Sequence, residues 1–386
     1  MNSKSPYFSS LILLSALGLI VFGFFRIKEH TEGRLKKQVG QMLIVGFRGT
    51  GADEASFILK AIKDLNLGGV VLFDIDGSTK GFPRNITGAE QVKGLIKNLK
   101  KSSLTPLMVA VDAEGGSVNR LKPKYGFIPV PGHRELGEKN DLNETRNASA
   151  KLARELSELG FNVNFAPAVD VDVNPENPVI GAMGRSFSAD EKIVSEQAKA
   201  FIEGQHEYGI VTAIKHFPGH GSSKTDSHKG LADVSETYRD KELVPYKELI
   251  KGGFLDMVMT AHIMNRKIDS EYPATLSAHY INEILRNMIG FEGVVISDDM
   301  QMGAITKYYG FKEALIRAVN AGCDLLIISN NGSVYDETAP YRARDIIFDA
   351  VKNGEIPLKR IAESSRRIED LKKRFKKDSV AGNKLK

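Results

Sequence analysis

The chain has 386 residues, of which 42% are hydrophobic and 26% charged, a composition that excludes collagen-like, low-complexity and wholly disordered classes. Its net charge of +5 is small and evenly spread, so we expect no nucleic-acid partner, because phosphate binding needs a clustered basic face. The single cysteine, Cys323, excludes a disulfide within the chain and a metal site built from cysteines alone.

The N-terminal region contains a long uncharged stretch. The 21 residues from Ser5 to Phe25 lie between Lys4 and Arg26, and a helix of that length, at ~1.5 Å per residue, spans a ~30 Å hydrocarbon core. We expect residues 1–30 to be a membrane anchor, with a cleaved signal peptide or a buried helix as alternatives. The protein is then membrane-anchored or exported rather than cytoplasmic, and any membrane association runs through this segment.

Short apolar runs alternate with helical patterns after this segment, which is typical of βα units on a parallel sheet. Runs such as VVLF and LMVAV are apolar and β-branched, as expected for strands covered on both faces. The sequence predicts eight strands, at Met42–Phe47, Gly69–Phe73, Leu107–Asp112, Asn162–Ala166, Thr212–Lys215, Met257–Thr260, Gly293–Ser297 and Leu325–Ile328.

Helical patterns fill the intervals, for example at Ala150–Leu159, Ile193–Tyr208 and Phe311–Ala321. Eight strands with interposed helices favour an α/β fold of the closed (β/α)₈ TIM-barrel type over a doubly wound open sheet, which usually has fewer strands. We therefore expect a single catalytic domain over residues 31–371. The basic, polar residues 372–386 have too few apolar side chains to offset ordering, and we expect a frayed tail there.

A barrel places its active site on the loops that follow the strands. Polar residues stand at or just after the predicted strands in five places: Asp112 with Glu114, Asp170 with Asp172, Lys215 with His216, His262, and Asp298 with Asp299. The carboxyl ends of parallel strands meet at one end of a barrel, so these groups are predicted to converge.

Candidate catalytic side chains are concentrated in two clusters. The first is KHFPGHG at residues 215–221, followed by DSH at 226–228; its glycines indicate a loop that can move. The second is SDDM at residues 297–300, where an apolar strand delivers two adjacent carboxylates. Adjacent residues point apart at a strand end, so we expect only one of Asp298 and Asp299 to face the cavity.

With these motifs the sequence resembles glycoside hydrolase family 3, in its single-barrel β-N-acetylhexosaminidase branch. The resemblance covers nearly the whole globular region, and the motifs occur in the family's order. It rests on GGVVLF (68–73), VDAEGGSVNRL (111–121), NFAPAVDV (164–171), NPVIGAMGRSF (177–187), KHFPGHG with DSH, MTAHI (259–263) and SDDM.

The resemblance implies a retaining hydrolase of terminal β-linked N-acetylglucosamine, with peptidoglycan fragments or related glycans as carbohydrate substrates. It implies that Asp298 is the nucleophile and that His228, partnered by Asp226, is the acid/base. A carboxylate beside an imidazole fixes its tautomer and favours its protonated form. The implied sugar-binding positions are Asp112, Arg120, Arg185, Lys215 and His216, with loop-bracing ion pairs as the alternative for Arg120 and Arg185. His262 and Asp170 fit bracing and ligand contact equally well.

Some positions depart from the commoner family pattern. Ala113 stands where many relatives carry a larger polar residue, Ser117 where arginine is common, and Asn119 where glutamine is more usual. These differences leave the implied chemistry intact and put the preference for the leaving group in doubt. We expect a monomer that needs no cofactor and no metal.

Other functions remain open at this point. A metal-dependent hydrolase would use His216, His220, His228 and Asp226 as ligands, although Phe217-Pro218-Gly219 argues against a helix between the first two. A phosphorylase would keep the barrel and the covalent intermediate, and a β-glucosidase of the same family would differ in substrate. A membrane-tethered sugar-binding barrel would lack turnover altogether.

Overall fold

The structure is a computed structural model, and it describes residues 31–51, 56–79, 83–227, 230–332 and 334–381, with side chains given as far as Phe375. The expected membrane anchor at residues 1–30 and the predicted acid/base His228 lie outside the described residues. Within the described ranges, no helix has the length and apolar character that a membrane crossing requires.

Eight parallel strands form a closed barrel, as predicted. In order around the barrel they are β1 (Leu43–Gly46), β12 (Leu325–Ile328), β11 (Val294–Asp299), β9 (Met257–Thr260), β7 (Val211–Phe217), β6 (Val163–Asn164), β3 (Met108–Val111) and β2 (Gly69–Leu72). Two short pairs lie outside the barrel: β4 (Ala113–Gly115) with β5 (Val118–Asn119), and β8 (Ala232–Asp233) with β10 (Ile263–Met264).

Helices alternate with the strands. They are α1 (31–41), α2 (Phe57–Leu65), α3 (Ala89–Lys101), α4 (His133–Lys139), α5 (Leu142–Leu159), α6 (Glu191–His206), α7 (Val244–Lys251), a π-helix (His279–Met288), α8 (Gly303–Thr306), α9 (Phe311–Ala321), α10 (Ala339–Lys352) and α11 (Leu358–Ala381). The barrel strands are buried on both faces, which explains their continuous apolar runs.

Six of the eight barrel strands differ from their predicted bounds, by one or two residues at an end. Strand β7 continues to Phe217 and β11 to Asp299, so His216, Asp298 and Asp299 lie within strands rather than after them. Strand β6 is shortened to Val163–Asn164, and Pro167, three residues beyond it, has no N–H to donate to a neighbouring strand. The strand ends therefore hold the polar groups more firmly than loops would.

Helix α11 crosses the N-terminal end of the barrel and continues beyond the expected start of the polar tail. Lys372 is buried and donates to Gln41 Oε1 at 2.7 Å, and Arg374 forms an ion pair with the buried Asp256. Helix α11 thus includes residues 372–381 of the predicted tail. The sequence does not reveal these contacts because their partners are distant along the chain.

Candidate active site

A cavity of about 410 Å³ opens at the carboxyl ends of the barrel strands. The barrel thus brings together six of the eight predicted site residues, as well as Asp299, the neighbour of Asp298 on β11. The six residues in its wall are Asp112, Arg120, Arg185, Lys215, His216 and Asp298. Apolar side chains complete the wall: Val71, Phe73, Phe165, Met259 and Met302 among them.

Asp298 and Asp299 both border the cavity, which differs from the expectation that only one would face it. Their environments nevertheless divide them. Asp299 accepts hydrogen bonds from the amide and hydroxyl of Ser329, at 3.0 and 2.6 Å, and from the amide of Gln301 at 3.2 Å. Burial raises the pKa of Asp299 despite these bonds. Its carboxylate therefore ties β11 to the loop after β12.

Asp298 has its Oδ1 fixed by the following amide, because the N–H of Asp299 donates to it at 2.7 Å. His262 holds the same stretch of backbone: the carbonyl of Asp299 can only accept, so His262 Nε2 donates to it, at 2.9 Å. His262 is fully buried and acts as a brace of the strand end rather than as a wall of the cavity.

Opposite Asp298 lies a buried network of alternating charges. Lys215 Nζ lies 2.9 Å from Asp112 Oδ1 and 2.7 Å from Glu114 Oε1. Arg185 donates two hydrogen bonds to the Glu114 carboxylate, from Nε at 2.9 Å and from Nη2 at 2.7 Å. Two carboxylates thus balance two cations in a site where an unpaired charge would be costly.

The network sets the protonation of its members. Burial opposes ionisation of Asp112 and Glu114, but the neighbouring cations outweigh it: Lys215 and Arg120 lower the pKa of Asp112, and Arg185 and Lys215 hold that of Glu114 well below its usual range. Burial likewise opposes the charge of Lys215, but both carboxylates raise its pKa. All three groups are therefore charged at neutral pH.

His216 is held by bonds at both ring nitrogens. Asp170 Oδ2 lies 2.7 Å from Nδ1, and because a carboxylate only accepts, Nδ1 carries the proton. Nε2 then accepts from Arg185 Nη2 at 3.2 Å. Asp170 is fully buried and also accepts from the amides of His216 and His220. It therefore braces the strand end and does not line the cavity.

The two arginines differ in how tightly they are held. Besides its bonds to Glu114 and His216, Arg185 donates from Nη1 to the Val179 carbonyl at 2.8 Å, which leaves one Nη1–H for a ligand. Arg120 is 30% exposed and sits 3.5 Å from Asp112 Oδ2. The family resemblance implies that Arg185 contacts the sugar, and that role stays a prediction; the bonds that the structure shows join it mainly to Glu114.

The glycine-rich segment after β7 is tightly packed at its start. A Cβ at Gly219, whose φ is 125°, would collide with Glu242, and one at Gly221 would overlap the Val171 carbonyl. These two glycines therefore permit close packing rather than supplying the freedom that the sequence suggested. Asp226, farther along, is half-buried and does not line the cavity.

Glu114 is the functional residue that sequence reasoning left without a role. It stands between Asp112 and the glycine pair in VDAEGG, but its partner Arg185 is 71 residues away. The available signal was that Glu114 and Lys215 were both predicted to lie at the mouth of the barrel, where a carboxylate and a lysine can pair. Across the residues that the structure describes, no three histidine, cysteine or carboxylate side chains are arranged to hold a metal ion.

Comparisons with known proteins agree with this architecture. Residues 34–371 match the glycosyl hydrolase family 3 N-terminal domain. A β-hexosaminidase from Tolumonas auensis is 36% identical over 270 residues, which cover 69% of this chain and 76% of the relative. β-Hexosaminidase A from Pseudoalteromonas piscicida is 32% identical over 336 residues, 80% of this chain and 55% of the relative.

Solved structures give the same result. A family 3 β-N-acetylglucosaminidase from Paenibacillus superposes with a TM-score of 0.80 at 35% identity, over 88% of this chain and 62% of that one. A β-N-acetylhexosaminidase from Beutenbergia cavernae gives a TM-score of 0.78 at 26% identity, over 88% of this chain and 98% of that one. With the family match extending over nearly the whole barrel, the chain belongs to glycoside hydrolase family 3.

Proposed function

We propose that this family 3 β-hexosaminidase is a retaining exo-enzyme that removes terminal β-linked N-acetylglucosamine from peptidoglycan fragments or related glycans. The observation that supports this most is one cavity with a carboxylate, Asp298, on one wall and the Asp112–Lys215 pair on the other. Its volume of about 410 Å³ suits a single sugar ring rather than a long glycan.

The proposed sugar contacts are the polar groups that retain bonding capacity. Asp112 Oδ2 has only a long, 3.5 Å contact to Arg120 and can accept from a sugar hydroxyl. Lys215 uses two of its three N–H groups on carboxylates and can donate the third. Arg120 and the remaining Nη1–H of Arg185 add donors, while His216 shapes the pocket through Arg185.

In the first step, a carboxylate oxygen of Asp298 attacks the anomeric carbon as the bond from that carbon to the leaving oxygen breaks. His228 donates its proton to the leaving oxygen, and a glycosyl ester of Asp298 forms. In the second step water attacks the same carbon, neutral His228 takes a proton from it, and the ester bond breaks. Two inversions at one carbon give net retention.

The proposed role of Asp226 is to fix the tautomer of His228 and to favour its charged form. Because Asp226 does not line the cavity, this mechanism requires Asp226 to move toward the bound sugar. Gly219 and Gly221, which precede it, are tightly packed and provide the fixed end of that movement.

The test uses p-nitrophenyl β-N-acetylglucosaminide beside the corresponding glucoside and xyloside. The proposal predicts preference for the N-acetyl sugar, release of free sugar with or without phosphate, and β-anomer as the first product in NMR spectra. Exclusive cleavage of the glucoside would contradict the substrate assignment. Sugar phosphate as the main product would show a phosphorylase, and an α-anomer would show inversion.

A further inference from the structure

Several large apolar side chains of the described residues are exposed at the end of the barrel opposite the cavity, and four of them lie in loops or helix ends that precede barrel strands. Leu104 is 85% exposed, Met288 69%, Leu255 52% and Tyr208 41%. Each lies in a segment that leads into a barrel strand: β3, β11, β9 and β7 respectively. Because the strands are parallel, these segments all lie at the N-terminal end of the barrel, which together with α11 we call the barrel floor.

These side chains belong to neighbouring segments of the floor, and we call them the exposed apolar row. Strands β11, β9, β7, β6 and β3 are consecutive neighbours in the barrel, so the four residues follow one another along one side of the floor. A single exposed apolar side chain needs no explanation, but a row of them on one surface indicates an interaction site.

Basic groups accompany this row. Lys101 and Lys251 end the helices that precede Leu104 and Leu255. A groove of about 700 Å³ beside Leu255 is bordered by Arg366 and Arg374 of α11. Both arginines are already paired, Arg366 with Asp370 at 3.5 Å and Arg374 with Asp256, and the acidic Glu292 also borders the groove. Apolar tips flanked by lysine and arginine suit the boundary between lipid headgroups and acyl chains.

The chain also enters the domain at the floor. Helix α1 leads into β1, and Gln41 at its end accepts from Lys372 of α11. Near its start, Glu32 pairs with Lys352, the last residue of α10, at 3.2 Å. The described part of the chain therefore begins at the barrel floor, and the uncharged stretch Ser5–Phe25 precedes this point in the sequence.

We propose that the barrel floor docks on the headgroup region of an anionic bilayer. Leu104, Leu255 and Met288 insert below the headgroups, and Lys101 of α3 and Lys251 of α7 contact lipid phosphates. The cavity at the opposite end of the barrel then faces away from the membrane, toward the aqueous phase. This orientation follows from the parallel barrel and does not depend on the reaction that the cavity performs.

The chain has no tryptophan, so single tryptophans report on chosen surfaces without background. The floor variants are Leu104→Trp and Met288→Trp. The matched controls are Leu142→Trp and Val334→Trp, at exposed positions 42% and 71% accessible on segments that follow barrel strands. Each full-length variant is reconstituted into vesicles of brominated phosphatidylcholine with or without brominated phosphatidylglycerol, and tryptophan emission is recorded.

The proposal predicts a blue shift and quenching at positions 104 and 288 in vesicles that contain phosphatidylglycerol, and neither effect at 142 and 334. Equal quenching at both ends of the barrel, or stronger quenching at the controls, would overturn the orientation. If the tryptophans at positions 104 and 288 were quenched equally in vesicles without phosphatidylglycerol, the proposed attraction to anionic lipid would be wrong. Unchanged circular dichroism shows that each variant is folded.

Discussion

The buried charge network predicts a large effect from a single isosteric change, Glu114→Gln. Glu114 is 1% exposed and has no direct contact assigned to the sugar. The substitution leaves the size of the side chain unchanged but removes one negative charge facing Arg185 and Lys215. The buried cations Arg185 and Lys215 are then balanced only by Asp112. The amide NH₂ of the new glutamine also faces an N–H group of one of these two cations, with which it cannot form a hydrogen bond.

Removing one partner of a buried ion pair costs about 3–5 kcal/mol, because the remaining charge stays desolvated and unpaired. We expect Glu114→Gln to lower the free energy of unfolding by that amount, measured by urea denaturation followed by circular dichroism. The Michaelis constant for p-nitrophenyl β-N-acetylglucosaminide should rise as well, since Lys215 loses one of the carboxylates that position it.

The matched control is Glu158→Gln, which breaks the exposed pair with Arg154 on α5, 2.9 Å long. No measurable change is expected there, because water already solvates both groups. A double variant, Glu114→Gln with Lys215→Met, restores the charge balance. Its loss in free energy of unfolding should be smaller than the sum of the losses of the two single variants. Strict additivity, or a Glu114→Gln effect as small as that of the control, would refute the charge-balance reasoning.

Three further predictions concern the same site. Burial lowers the pKa of His133 from 6.5 to about 4. The stability that the neutral imidazole contributes is therefore complete above pH 6.5 and is lost as the pH falls toward 4. Between pH 7 and 4, the free energy of unfolding of His133→Asn should fall by about 3 kcal/mol less than that of the parent, measured by urea denaturation. Asp298→Asn should lower kcat by about 10³-fold or more, while Asp299→Asn should mainly reduce stability, by about 1–3 kcal/mol, in paired kinetic and unfolding measurements. Hydrolysis should survive exhaustive chelation, because His216 uses both ring nitrogens within the protein.

Each of these predictions has a contrary result. Parallel pH profiles for His133→Asn and the parent would show that His133 does not titrate differently on unfolding. Loss of turnover in Asp299→Asn with normal turnover in Asp298→Asn would exchange the two roles. Activity that disappears with chelator and returns with zinc would place a metal in the reaction.

The barrel was predictable because each strand corresponds to a short apolar run in the local sequence. A strand covered on both faces needs a short apolar run, and the eight runs are confirmed as the eight barrel strands. The ends were less predictable: nothing local to Asp298 and Asp299 signals that β11 extends to include them, since this depends on pairing with β12.

Contacts between distant residues account for what the sequence did not reveal. Glu114 and Arg185 meet only because the loops after two strands converge, and Lys372 of α11 bonds to Gln41, 331 residues away. The packing of Gly219 against Glu242 is likewise absent from the local pattern, in which glycine signals mobility. The roles of Asp226 and His228 stay predictions.

The nucleophile is the centre of the proposed mechanism, and covalent trapping tests it most directly. A 5-fluoro N-acetylglucosaminyl fluoride forms the glycosyl ester but slows its hydrolysis, because fluorine beside the ring oxygen destabilises the oxocarbenium-like transition state. Digestion and fragment mass spectrometry then locate the sugar. The mechanism predicts one sugar on Asp298. A label on Asp299 or on any other side chain would contradict it.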